Sequence, residues 1–200
     1  MKTILQLNSS IFSDDGQSSK LANEFVQALR THDPDAELIV RDLAREPVPH
    51  LSAAGFKAFV TPAAQRTAAQ QAMVDYSDAL IDELKQADVV VLGLPMYNFG
   101  VPSILKAYFD HIARAGVTFK YTENGPIGLL ENKKVYIVAA RGGVYQGTPR
   151  DTQTHYVSNF LNFIGISDIE FLYAEGLNMG TSKQQAALSN ARNEIQRLAA

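Results

Sequence analysis

A chain of 200 residues that is 46% hydrophobic can bury a substantial core yet is short enough to favour one folded unit, so residues 1–200 are read as a single domain. A net charge of −3 supplies no basic stripe to follow a phosphate backbone, which argues against nucleic acid. No apolar run is long enough for a membrane span and the opening residues are too short for a secretory signal, which points to the cytoplasm. With no cysteine, disulfides, thiolate metal sites and a cysteine nucleophile are excluded together, so any redox chemistry must be carried by a cofactor.

Thr3 to Leu7 reads as a strand that ends in the small polar Asn8-Ser9-Ser10. A polar loop then runs through Asp14-Asp15-Gly16-Gln17-Ser18-Ser19 into a helix with Leu21, Phe25, Ala28 and Leu29 on one face, and Ser18 or Ser19 is the expected N-cap. Such a strand, loop and helix start form a potential phosphate cradle, because unpaired N–H groups and the positive dipole end face the loop. Neither a Gly-Lys-Ser/Thr ending nor a G-x-G-x-x-G run is present, so a single terminal phosphate suits Ser10 to Ser18 best. Plain helix capping fits the same serines equally well.

Glu37 to Val40 reads as the second strand. Helices are expected over about Ser52 to Val60 and Ala64 to Gln86, the latter burying Met73, Tyr76, Leu80 and Leu84 and presenting Asp75, Asp78 and Asp82 to solvent. From Asp88 to Leu94 the chain is almost continuously apolar, the pattern of a parallel strand covered on both faces. Pro95 cannot extend the ladder, so Met96-Tyr97-Asn98-Phe99 should turn outward at the carboxyl edge, where open α/β sheets bind ligands. A thioether, two aromatic rings and an amide suit a flat heteroaromatic ring; the same side chains could also simply cap the core.

Pro102 opens a helix whose Leu105, Tyr108, Phe109 and Ile112 form a stripe more apolar than one sheet face requires, so this helix is expected at a subunit interface. Between Val117 and Leu130 a turn at Glu123-Asn124-Gly125-Pro126 predicts a flap with exposed aromatics. Val135 to Ala139 reads as a strand ending in Ala140-Arg141-Gly142-Gly143. The paired glycines would let backbone N–H groups approach a ligand, or would satisfy a tight turn. A helix bearing Val157, Phe160, Leu161 and Ile164 stops at Gly165, Ile169 to Ala174 is the last strand, and a capping box of Ser182 and Gln185 opens the final helix. His32, His50, His111 and His155 are dispersed without metal-ligand spacing and are assigned no catalytic role.

Strands alternating with helices predict an α/β fold: a flavodoxin-like, five-stranded parallel sheet of order 2-1-3-4-5 with helices on both faces. That order brings the loops at Asn8 to Ser18, Pro95 to Phe99 and Ala140 to Gly143 together at one switch point. Phosphate cradle, ring clamp and glycine wall then become neighbours, which points to a flavin mononucleotide site.

The runs Pro95-Met96-Tyr97-Asn98-Phe99, Ala113-Arg114-Ala115-Gly116-Val117-Thr118-Phe119-Lys120-Tyr121-Thr122-Glu123-Asn124-Gly125-Pro126 and Arg141-Gly142-Gly143 resemble the FMN-dependent NADH:quinone oxidoreductases known as azoreductases. The likeness spans essentially the whole chain. It implies a homodimer that reduces quinones and azo compounds with NADH or NADPH. Since sheet edge and flap would leave one open face of the ring for two flat substrates, a ping-pong mechanism is expected. By motif match, Ser10, Gly16, Gln17, Ser18, Met96, Tyr97, Asn98, Phe99, Ala140, Arg141, Gly142 and Gly143 would hold FMN. Water or Tyr145 is the candidate proton source, and Tyr121 of one subunit would lie near the flavin of the other. An electron carrier of the same fold, without substrate turnover of its own, is the alternative.

Overall fold

A computed structural model describes residues 2–200. Five strands form one parallel sheet: β1 (Thr3–Asn8), β2 (Glu37–Asp42), β3 (Val89–Pro95), β6 (Lys134–Ala140) and β7 (Asp168–Ala174), in the order β2-β1-β3-β6-β7. The remaining two, β4 (Phe119–Thr122) and β5 (Gly125–Gly128), pair only with each other as an antiparallel hairpin. Without the hairpin the order is the expected 2-1-3-4-5. The helices are α1 (Gln17–His32), α2 (Ala53–Val60), α3 (Ala68–Gln86), α4 (Ser103–Ile112), α5 (Thr152–Phe163) and α6 (Thr181–Ala199). Among the described residues no helix is long and apolar enough to cross a membrane.

The strands explain why the sheet is covered twice. Along β3, Val90, Leu92 and Leu94 enter a core with residues of α3, α4 and α5, while Val91 enters a second core with residues of α1 and α6. Leu5 and Leu7 of β1 face the first core and Ile4 the second, as the two-residue period of a strand demands.

Several local expectations fail for identifiable reasons. Neither Ser18 nor Ser19 caps α1; its N-cap is Gly16, with no side-chain bond, and both serines lie inside the first turn. A Cβ on residue 16 would overlap the Ser10 hydroxyl and stand 2.6 Å from Ser10 Cβ, so a bare backbone is what admits the chain to the helix there. The helix expected from Ala64 is a 3₁₀ turn at Ala63–Gln65 followed by α3, which starts later because Thr67 and Gln70 form a reciprocal capping box. Met73 and Tyr76 stand partly exposed, and the buried stripe runs through Val74, Ser77, Leu80, Ile81 and Leu84. Ser77 turns inward because its hydroxyl donates to the His111 carbonyl at 2.6 Å and accepts from Arg114 at 2.8 Å, a polar anchor that apolar periodicity cannot reveal. The Ser182–Gln185 capping box is not formed, since α6 starts at Thr181 behind Gly180, whose φ of +101° favours glycine.

The α4 stripe is also differently employed. Leu105, Tyr108, Phe109 and Ile112 are all buried within their own chain, with Phe109 stacked on Phe160 of α5 at 4.0 Å between ring centroids. Its residues are therefore consumed by this chain's core and are not an unpartnered face. The hairpin does form, with Tyr121 74% exposed. It docks through Leu129 and Leu130 N–H groups donating to the Ile164 carbonyl, at 3.1 and 2.9 Å, where α5 has returned to the amino edge of the sheet. The flap thus lies at the edge opposite the loops that follow β1, β3 and β6.

Candidate functional site

At the carboxyl edge, three loops meet where the sheet order reverses between β1 and β3. The Ser9 hydroxyl donates to the Gly93 carbonyl at 2.7 Å, and the Ser10 hydroxyl is 3.3 Å from the Tyr97 hydroxyl, so the first loop is tied to the second. Gly16 then feeds α1, whose first-turn N–H groups at Gln17, Ser18 and Ser19 have no intrahelical acceptor. The Ser18 and Ser19 hydroxyls are buried without a hydrogen-bond partner. Asp14, an unwelcome charge beside an anion, is neutralised by Arg45, and Asp42 is engaged by the Ser13 hydroxyl. Unpaired hydroxyls and N–H groups at a helix start make this end of the edge suited to a compact anion.

The second loop is a tight turn closed by two hydrogen bonds, Tyr97 N–H to Gly100 carbonyl at 3.1 Å and Gly100 N–H to Tyr97 carbonyl at 2.9 Å. Its central residues, Asn98 and Phe99, have φ of +49° and +63°. Two consecutive non-glycine residues in the left-handed region cost on the order of 1–3 kcal/mol each, least for asparagine, so neighbouring structure must hold them there. The holder is Gln153, buried at the start of α5, whose amide donates to the Pro95 carbonyl at 2.8 Å and the Gly100 carbonyl at 3.2 Å. Thr152 adds a hydroxyl bond to the Phe99 carbonyl.

Facing this turn across a cavity of about 480 Å³ is the loop after β6. Met96, Asn98, Phe99, Gly142, Gly143, Tyr145 and Asn178 line the cavity. Phe99 and Tyr145 meet edge to face at 5.6 Å, and Tyr145 folds back over Gly143, where a Cβ would stand 2.6 Å from its hydroxyl. The Gly142 carbonyl accepts from Asn178 N–H at 3.0 Å and the Gly143 carbonyl from Gly176 N–H at 2.9 Å. Among the described residues, no protein acceptor takes the N–H of Asn98, Gly142 or Gly143. Three unspent donors thus flank a space with aromatic and thioether walls, an arrangement that receives a flat ring and stabilises negative charge on it.

Comparison with known proteins identifies the architecture. A family profile described as the flavodoxin-like fold matches residues 2–199. An FMN-dependent NADH:quinone oxidoreductase of Cellvibrio japonicus (strain Ueda107) is 61% identical over 196 residues, covering 98% of both chains. One of the same description from Alcanivorax borkumensis is 57% identical over 192 residues, covering 96% of this chain and 97% of its own. The chain belongs to this flavodoxin-like family. Among solved structures, an azoreductase from Bacillus anthracis str. Sterne superposes with a TM-score of 0.91 at 28% identity, over 100% of this chain and 99% of its own. An FMN-dependent NADH-azoreductase from B. anthracis str. Ames Ancestor, solved in complex with FMN, superposes with a TM-score of 0.90 at 26% identity, over 100% and 98%.

In this member of the family the motif residues divide into three groups. Ser10, Gly16, Gln17 and Ser18 gather at the helix start; Met96, Asn98, Phe99, Gly142, Gly143 and Tyr145 line the cavity, with Tyr97 bridging the two through Ser10. Ala140 and Arg141 stand behind the wall. Ala140 ends β6 with its side chain in the α1–α6 core and its carbonyl accepting from Met96 N–H. Arg141 spends its backbone N–H on the Ala174 carbonyl and its carbonyl on the Leu177 N–H, and its side chain is wholly buried. Tyr121 is at the far edge and cannot serve the cavity of its own chain.

No sequence motif marks Gln153, Glu175 or Asn178, whose roles only the fold reveals. Asp151, the N-cap of α5, belongs with them: it accepts from Thr154 N–H at 3.1 Å and pairs with Arg141 at 2.9 Å. Burial alone would raise its pKa, but the Arg141 bond and the two Thr154 donors outweigh that and hold it below the ordinary 3.8. A carboxyl depressed in the folded state contributes stability that is complete above the unfolded pKa and lost as pH falls through the folded one. Urea midpoints measured from about pH 5 to about pH 2.5 should therefore fall less steeply below about pH 4 for Asp151→Asn than for the wild type.

Proposed function

We propose that this chain is an FMN-dependent oxidoreductase that passes electrons from NADH to quinones and azo compounds, as a cytoplasmic homodimer whose residues 1–200 form one FMN-binding unit. The observation that carries the reading is the pairing of two half-sites from distant sequence: unspent hydroxyl and N–H donors at the start of α1, and a glycine-walled cavity between the Met96 and Gly142 loops. FMN fits both. Its single phosphate suits the cradle of Ser10, Gly16, Gln17 and Ser18, where a side chain at residue 16 would crowd Ser10. Its ring suits the cavity, where the free N–H groups of Asn98, Gly142 and Gly143 can hold the negative charge of the reduced ring. NADH as donor, and quinones and azo compounds as acceptors, follow from the names of the relatives.

The chemistry FMN supplies is two-electron transfer, hydride in and an electron pair out. The chain binds, orients and screens. The strained turn at Asn98–Phe99 and the Gly142–Gly143 backbone fix the donors before any charge develops. Phe99 and Tyr145 form an aromatic rim against which flat substrates can stack, and the Tyr145 hydroxyl, like solvent water, can supply a proton there. Because the hairpin lies at the opposite edge, any part of Tyr121 in a flavin site requires a second subunit, which is the homodimer proposed.

One accessible face serves two flat substrates, so NADH and acceptor should take turns. Initial rates over a grid of NADH and quinone concentrations are expected to give parallel double-reciprocal lines, with high quinone competing against NADH. The cofactor released by heat should be FMN. Lines that intersect would establish a ternary complex and end the shared-face reading, and a protein that takes up no flavin, or binds it without NADH oxidation, would end the enzymatic one.

A further inference from the structure

Arg141 has no place in the chemistry just described, yet it is among the largest fully buried side chains of the molecule. Its guanidinium reaches in two directions. Toward the second loop, Nε donates to Gln153 Oε1 at 3.3 Å, which leaves the amide nitrogen of Gln153 turned to the Pro95 and Gly100 carbonyls that bracket the strained turn. Toward the third loop, Nη1 donates to Glu175 Oε1 at 3.0 Å, and the same oxygen accepts from the N–H groups of Tyr145 and Gln146, at 2.9 and 3.0 Å. Nη2 is taken by Asp151 and Thr154, both at 2.9 Å, and the guanidinium carbon lies 5.0 Å from the centre of the Tyr173 ring.

We infer that Arg141 is a positioning residue that couples the two walls of the ring site, setting the Met96–Phe99 turn through Gln153 and the Gly142–Tyr145 loop through Glu175. The inference rests on the function proposed above. The physical argument is one of preorganisation. A turn with two left-handed residues and a loop with two glycines would each relax if held alone, and cavity width depends on both. A planar fork with fixed donor directions can register one against the other. A lysine in the same place, with the same charge, offers a single point and cannot. Burial makes the arrangement stringent, because Glu175 and Asp151 left without the guanidinium would be buried carboxylates short of a partner.

Two variants test this, Arg141→Lys and Gln153→Met, the second similar in size but without hydrogen-bonding amide groups. In flavin-free protein, amide exchange reads the loops separately: Tyr97 and Gly100 report the first wall, Tyr145 and Gln146 the second. Arg141→Lys is expected to speed exchange at both walls by about tenfold or more, and Gln153→Met at Tyr97 and Gly100 only. FMN affinity, read by quenching of flavin fluorescence, should weaken about thirtyfold in Arg141→Lys and about fivefold in Gln153→Met, with the flavin absorption band shifted in both. Folded Arg141→Lys protein with wild-type protection at either wall, or Kd values within about twofold of wild type in both variants, would overturn the coupling. Gln153→Met loosening both walls equally would do so as well. Should Arg141→Lys fail to fold, Gln153→Met and Glu175→Gln must each loosen only their own wall and still weaken FMN; otherwise the inference falls. Wild-type protein that takes up no FMN would instead end the proposed function, and the exchange measurements on flavin-free protein would still decide the coupling.

Discussion

Gly142→Val is expected to abolish flavin uptake while leaving the chain folded, an affinity loss of at least about a hundredfold, or about 2.7 kcal/mol. A Cβ at residue 142 would stand 2.6 Å from the Asn178 amide nitrogen and 3.2 Å from Asn178 Cγ. Asn178 is exposed and its amide has room to swing away, so Gly142→Ala should be tolerated with a modest loss of affinity. Valine adds two γ-carbons with one preferred rotamer, and these must enter either Asn178's space or the cavity shared with Met96, Asn98 and Phe99. The backbone at Gly142 is not in the left-handed region, so conformational strain does not confuse the result. Asn98 provides the contrast. At φ +49°, Asn98→Ala pays for the left-handed conformation as well as for the lost amide, whereas Asn98→Gly keeps the turn and removes only the side chain. Titration of the flavin-free variants with FMN, followed by absorption, separates these cases. Full uptake and full activity in Gly142→Val would show that the glycine wall does not face the ring.

The frame of this site is legible in sequence because it rests on patterns that local physics enforces. Val89 to Leu94 announces a strand covered on both faces, Pro95 announces its end, and Gly142-Gly143 announces a backbone open to close approach. What supports the frame is illegible for an equally physical reason. Gln153 is an ordinary polar residue in the first turn of α5, and its task appears only once α5 lies behind the loop that follows β3. Glu175 acts on Tyr145 and Gln146 from the end of β7, 30 and 29 residues further along the chain. Arg141 misleads in the opposite sense. It sits inside a run that resembles a flavin-binding motif, and only its burial among Asp151 and Glu175 shows that the arginine faces away from the cavity. The α4 stripe misleads through surplus: the apolar residues that suggest a partner surface are consumed by Phe160 and the surrounding core of the same chain.

The hairpin offers the second large effect, because its attachment depends on two glycines in contact. A Cβ on Gly128 would fall inside the van der Waals envelope of Gly165 N, Gly165 Cα and the Ile164 carbonyl carbon, all backbone atoms that no rotamer change can move. Gly165 is itself at φ +106°, so it cannot be exchanged to make room. Gly128→Ala must therefore lift β5 away from the α5–β7 turn, weakening the two bonds from Leu129 and Leu130 to the Ile164 carbonyl and the packing of Phe119 on Phe163, whose rings lie 4.3 Å apart. Two hydrogen bonds at about 1 kcal/mol each, with a further 1–2 kcal/mol of overpacking, give roughly 3–4 kcal/mol. For a domain of this size that is a fall in Tm of roughly 6–16 °C. Tyr121→Ala provides the functional counterpart without the structural cost. Its side chain is largely exposed, so stability should stay within about 0.5 kcal/mol of wild type. If the hairpin completes a partner's site, quinone turnover should fall about tenfold in Tyr121→Ala and further in Gly128→Ala, both assayed well below Tm, with FMN still bound. Sedimentation at micromolar concentration must show a dimer for this to hold. A monomer, or wild-type kcat/KM in Tyr121→Ala, would return the hairpin to a purely structural role in its own chain.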